Sequence, residues 1–165
     1  EEGVPVFCPN LCDSGIGLGL ALHLAERARA GEAAAYVDHS MDVLEAVAIA
    51  SSAEAICSVY VGGGPPKSFV QQLGLAAKAL GAPYPRRRYA IQITAEDPRF
   101  GGISGAPPEE PGAECAAAYV DATIGLPLLF RALAEKAGGL LPRARRRLDV
   151  GRLVEGLLRS PPRGA

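Results

Sequence analysis

Short apolar runs alternate along this chain with segments of helical periodicity, and most junctions carry Gly or Pro. Residues 4–8 form one such run, ending at Pro9, and residues 55–61 form another that leads straight into Gly62-Gly63-Gly64. Residues 89–93 and 116–120 are two more, the latter ending in Asp121. Between them lie helix-like stretches: 20–30 closed by Gly31, 41–50 with Met41, Leu44 and Ala48 at helical spacing, 67–80 closed by Gly81, and 126–137. Strands buried on both faces read as continuous apolar runs, and their alternation with helices marks an open α/β sheet wound through right-handed crossovers. The expected fold is therefore α/β: an open, mostly parallel sheet with flanking helices. Residues 15–19 read as a Gly-rich turn, and residues 94–111 as a Gly- and Pro-dense loop long enough to carry function.

Composition narrows the partners. The 165 residues fit one domain, and 48% apolar content supports a core. A net charge of −1 provides no global field for nucleic acid or an anionic membrane. Charge is uneven, though: residues 138–165 hold seven arginines against Asp149 and Glu155, about +5, which leaves about −6 elsewhere. Such a tail reads as solvated surface or as a phosphate-binding arm. It is expected to be partly helical, then disordered from Ser160 onward.

No run reaches the ~18 apolar residues of a membrane span, and the acidic start is unlike a secretory leader. Glu1 in place of Met leaves room for an upstream portion. Cys8, Cys12, Cys57 and Cys115 lack zinc-type spacing and read as free buried thiols of a reducing compartment.

Ligands of open α/β sheets sit at the carboxyl ends of the strands, and three features fall there. Gly62-Gly63-Gly64 lies between a strand and a helix, where glycines permit close backbone approach and the helix N-terminus offers free N–H groups. Lys67 stands in that helix's first turn, where a cation opposes the dipole unless an anionic ligand shares the site. The two readings of the loop are a ligand cradle with Lys67, or a structural turn beside a solvated lysine. Asp121 is placed either to accept from a ribose hydroxyl or hold a cation, or to cap the next turn. Asp13, after the first run, has the same two readings. His23 and His39 lack partners at metal spacing, Ser104 follows no strand, and no G-x-G-x-x-G is present.

Together these strings resemble one family. Val4-Pro5-Val6-Phe7 with Asp13-Ser14, Val61-Gly62-Gly63-Gly64-Pro65-Pro66-Lys67, Tyr89-Ala90-Ile91-Gln92-Ile93 and Tyr119-Val120-Asp121-Ala122-Thr123 occur in the order seen in deoxyhypusine synthases. Residues 97–105 look most like the prokaryotic deoxyhypusine-synthase-like branch. The resemblance covers about residues 3–136. It implies a Rossmann-like fold, NAD as cofactor, a homotetramer and a cytoplasmic location. The family reaction oxidises spermidine with NAD and passes the aminobutyl group through an enzyme lysine to a lysine of a translation initiation factor. Carried over, Asp13, Gly62, Gly63, Gly64, Asp121 and Ala122 would border NAD, with Ala95 and Glu96 near it. Ser68, Gly101, Gly102 and Glu110 would border the polyamine.

The departures are as informative. The family's nucleophilic lysine lies in a Trp-Gly-Lys motif after the Ser-Gly turn. Here residues 106–118 contain no Lys, and the chain has no Trp. Carboxylates that grip polyamine in the eukaryotic enzymes align with Leu18 and Ile103. The reading is of residues 1–137 as the C-terminal half of such an NAD-binding domain, followed by a basic tail, and inactive alone. The rivals are a relative acting on agmatine or putrescine, and a non-catalytic NAD-binding or oligomer-forming remnant.

Overall fold

A computed structural model describes residues 4–96, 113–136 and 148–159. Helix α1 (Gly15–Ala30) follows a 3-10 turn (Leu11–Asp13), and α2 (His39–Ser51) precedes β1 (Ile56–Val61). Then come α3 (Pro65–Ala79), β2 (Arg87–Thr94), β3 (Glu114–Tyr119), α4 (Ala122–Lys136) and α5 (Val150–Arg159). Among the described residues the sheet has three parallel strands in the order β1-β2-β3. Tyr60 lies opposite Gln92, and Ile93 opposite both Val61 and Ala118. The expected α/β class with a parallel sheet and flanking helices is what the chain forms.

Local chemistry explains the helix limits. Ser14 caps α1, its Oγ accepting from Gly17 N–H at 3.1 Å, so residues 15–19 are helical and not the expected turn. Gly17 is tolerated there for a steric reason: a Cβ would overlap the Leu11 carbonyl. Gly31 ends α1 with φ 67°, a left-handed value suited to glycine. Asp38 caps α2 by accepting from Ser40 and Met41 N–H at 2.8 and 3.3 Å. Pro65 opens α3, where its missing N–H costs nothing. Helix α4 starts at Ala122, earlier than the apolar pattern from Leu126 indicated, because Asp121 supplies the cap.

The core sits between helices. Ala46 and Val47 of α2 pack with Leu73 and Ala77 of α3, flanked by Phe7, Phe69, Tyr84 and Leu157. Helix α5 presents Leu153, Val154 and Leu157 at i, i+1 and i+4, burying Val154 as it packs on α2. That part of the basic tail is thus attached to the core rather than wholly solvated. Residues 160–165, expected to be disordered, lie outside the described residues, as does most of the 94–111 loop.

Three expectations are corrected. Residues 4–8 do not form a strand; Phe7 is anchored against Phe69 at a ring-centroid distance of 5.8 Å while Val4 and Val6 stay exposed. Burial on both faces of the strands holds only in part. The central strand β2 is largely buried, β1 alternates exposed and buried residues, and β3 is exposed throughout. Among the described residues only β2 has a strand on each side, so only β2 is shielded at both edges. The four cysteines are thiols outside any disulfide, but Cys12, Cys57 and Cys115 are exposed and Cys8 is half-buried, so the expected burial is not met. Among the described residues no helix is long and apolar enough to cross a membrane.

Candidate functional site

Parallel register brings the three strand ends into one row. Gly62 N–H donates to the Ile93 carbonyl at 2.8 Å, and Val120 N–H donates to the Thr94 carbonyl at 2.9 Å. Gly62, Ala95 with Glu96, and Asp121 with Ala122 therefore follow adjacent strands at the sheet's carboxyl edge. At a strand spacing of about 4.8 Å, the row spans roughly 10 Å.

The glycine turn is shaped for close approach. Gly62 and Gly64 hold φ of 74° and 79°, and a Cβ added at either would meet nothing within 4 Å. The space beside the turn is open, while backbone conformation excludes most side chains. Gly62, Gly63, Pro66, Lys67 and Tyr60 help line a cleft of ≈ 350 Å³ along the free edge of β1. Ser68 N–H is tied to the Gly64 carbonyl at 3.2 Å, in the first turn of α3.

Lys67 is not the solvated lysine of one reading; it is 2% exposed. Its Nζ donates to Gln92 Oε1 at 3.2 Å and stands 5.7 Å from the centre of the Tyr60 ring, within cation–π range. Gln92 Nε2 in turn donates to the Gly62 carbonyl at 3.0 Å. The Tyr60 hydroxyl is buried without a hydrogen-bond partner among the described residues. Neither Gln92 nor Tyr60 was singled out by the sequence reading. The available signal is a polar glutamine inside the otherwise apolar run 89–93.

Burial lowers the Lys67 pKa below the ordinary 10.5, because desolvation penalises the charged form. Between that lowered value and 10.5 the unfolded chain binds more protons than the folded one. Lys67 therefore makes stability rise with pH across this window and level off above it. The melting-temperature difference between wild type and Lys67→Met, followed by circular dichroism, is expected to shift in favour of wild type as pH rises through the window. A difference independent of pH would mean that Lys67 titrates as a free lysine.

Asp121 is exposed, and its Oδ1 accepts from Thr123 Oγ1 at 2.6 Å and Thr123 N–H at 2.8 Å. These bonds hold its carboxyl below the usual range, the side-chain bond first and the backbone bond second. The capping reading of Asp121 is thus realised; both bonds fall on Oδ1, so the cap does not occupy Oδ2. Ala95 and Glu96 are exposed, with Glu96 N–H donating to Thr94 Oγ1 at 3.2 Å. Asp13 ends the 3-10 turn that precedes α1 and, like Asp121, is not among the residues lining the cleft beside β1. Gly101, Gly102 and Glu110 lie outside the described residues.

A sequence model of the family described as deoxyhypusine synthase matches residues 1–133. The chain belongs to the deoxyhypusine synthase family. It is 40% identical over 148 residues to probable deoxyhypusine synthase 2 of Methanosarcina acetivorans, covering 85% of this chain and 41% of that one. Against probable deoxyhypusine synthase 2 of Archaeoglobus fulgidus the identity is 38% over 141 residues, 81% of this chain and 45% of the other. A deoxyhypusine synthase-like protein of Caulobacter vibrioides is 38% identical over 104 residues, 63% of this chain and 28% of its own length. The chain thus spans less than half the length of these deoxyhypusine synthase relatives. No solved structure matches it.

Proposed function

We propose that this chain forms the NAD-binding carboxyl edge of a deoxyhypusine-synthase-type protein, and that alone it transfers no aminobutyl group. The observation that carries the reading is the row of Gly62–Gly64, Ala95–Glu96 and Asp121–Ala122 at adjacent strand ends. The glycine turn and the N-terminus of α3 suit the phosphates of a dinucleotide. Asp121 Oδ2 would accept from a ribose hydroxyl. When bound, NAD supplies the hydride acceptor for amine oxidation. Asp13 would join this site in the reading, and Ser68, Gly101, Gly102 and Glu110 would border spermidine or a related amine. A lysine of a translation initiation factor would be the final acceptor, and the protein would be a cytoplasmic homo-oligomer.

Residues 1–137 would be the C-terminal part of the NAD-binding domain, and residues 138–165 a basic extension. The non-catalytic reading draws support from the sequence itself, since no lysine stands between Gly105 and Val120. Calorimetric titration with NAD tests the proposal. Gly63→Val, which places a branched side chain at the approach, and Asp121→Ala, which removes an acceptor, are each expected to weaken binding by roughly tenfold or more. Equal affinity in wild type and both variants would put the site elsewhere.

A further inference from the structure

We propose that Gln92 is a positioning residue for the glycine turn, acting through Lys67 and Gly62. The inference rests on the reading that this turn borders NAD, and its test fails separately from that reading. Gln92 is 0% exposed and lies opposite Tyr60 in the central strand of the sheet. Its Oε1 accepts from Lys67 Nζ at 3.2 Å while its Nε2 donates to the Gly62 carbonyl at 3.0 Å. An ammonium has no lone pair and a carbonyl has no proton, so only one orientation of the amide satisfies both partners. One side chain on β2 thereby ties the first turn of α3 to the residue that follows β1.

The turn needs such a tie. Gly64 holds φ 79° with ψ −154°, a region open essentially to glycine alone, and Gly62 is also left-handed. No Cβ restrains the backbone at these positions, so its path depends on bonds from outside the turn. Gly62 receives two of them from neighbouring residues of β2: its N–H is held by the Ile93 carbonyl and its carbonyl by the Gln92 amide. The buried Lys67 ammonium, which lines the cleft with Gly62 and Gly63, is held by the same amide. Methionine at 92 keeps the length and removes both bonds. Glutamate keeps a partner for Lys67 but sets two acceptors face to face at Gly62. A residue that only fills space would tolerate methionine.

The experiment uses the full chain as wild type, Gln92→Met and Gln92→Glu. Three quantities are read: hydrogen exchange at the Gly62 amide, the Lys67 titration by side-chain NMR, and NAD affinity by calorimetry. Both variants are expected to exchange the Gly62 amide about tenfold faster, with Val47 and its helix unchanged. Gln92→Glu is expected to raise the Lys67 pKa, because an opposite charge at hydrogen-bond distance favours the ammonium. NAD affinity is expected to fall about tenfold in both. If Gln92→Met leaves Gly62 exchange and the Lys67 titration at wild-type values, the positioning role is overturned. Should that variant fail to fold, Gln92→Glu carries the same test at Gly62. If none of the proteins binds NAD while Gly62 exchange responds, the NAD reading falls and the positioning role stands.

Discussion

Val47→Asp is expected to abolish cooperative folding of the chain. Val47 is fully buried between α2 and α3, against Leu73 and Ala77. A carboxylate there would lose its hydration among apolar side chains, at a cost of several kcal/mol even after relaxation. Domains of this size are stable by about 5–15 kcal/mol in total. Among the described residues the buried apolar cluster around Val47 is Ala46, Leu73 and Ala77 besides itself, so little margin remains. Val47→Ala is the control, removing volume without adding charge, and is expected to cost about 2 kcal/mol. Thermal melts followed by circular dichroism decide it. A cooperative transition for Val47→Asp within a few degrees of wild type would mean that the α2–α3 contact is not the centre of stability.

The 165-residue chain by itself is expected to self-associate in solution. Strand β1 is one edge of the sheet, with Val59 55% and Val61 49% exposed, and β3 is the other edge and exposed along its length. Helix α4 adds Ile124, Leu128, Phe130 and Leu133 to the exposed apolar surface, and α1 adds Ile16, Leu18 and Leu22. Open strand edges and contiguous apolar patches pair with other chains. Light scattering is expected to give a mass at least twice the 17.0 kDa of one chain, or polydisperse material. Val59→Lys with Val61→Lys, charging the β1 edge, is expected to reduce association. Adding the N-terminal half of a relative should improve solubility, since the chain matches only 41% and 45% of the length of the Methanosarcina acetivorans and Archaeoglobus fulgidus relatives. A monodisperse monomer of 17.0 kDa with a cooperative melt would overturn this expectation.

Much of the fold was legible because its signals are local. The apolar run before Gly62, the helix after it and the closing glycines at 31 and 81 lie within a few residues of what they determine. Ser14 and Asp38 act through hydrogen bonds to residues two or three positions on. The Ser14 cap marks the start of α1 in the same local way, and it outweighs the glycine content of residues 15–19. The run at residues 4–8 misled for the opposite reason. An apolar β-prone segment becomes a strand only when another strand offers its edge, and here Phe7 found Phe69 instead.

By itself, then, the sequence determined the α/β class, the glycine turn at a strand's carboxyl end, the family and the absence of a lysine between Gly105 and Val120. Each is a property of neighbouring residues or of their order. Only the tertiary structure decided that Lys67 is buried and that Gln92 joins it to Gly62 across 30 positions. Those outcomes depend on which strands come to lie side by side. That is set by long-range packing, and side-chain amides and ammonium groups find their partners only after it has formed.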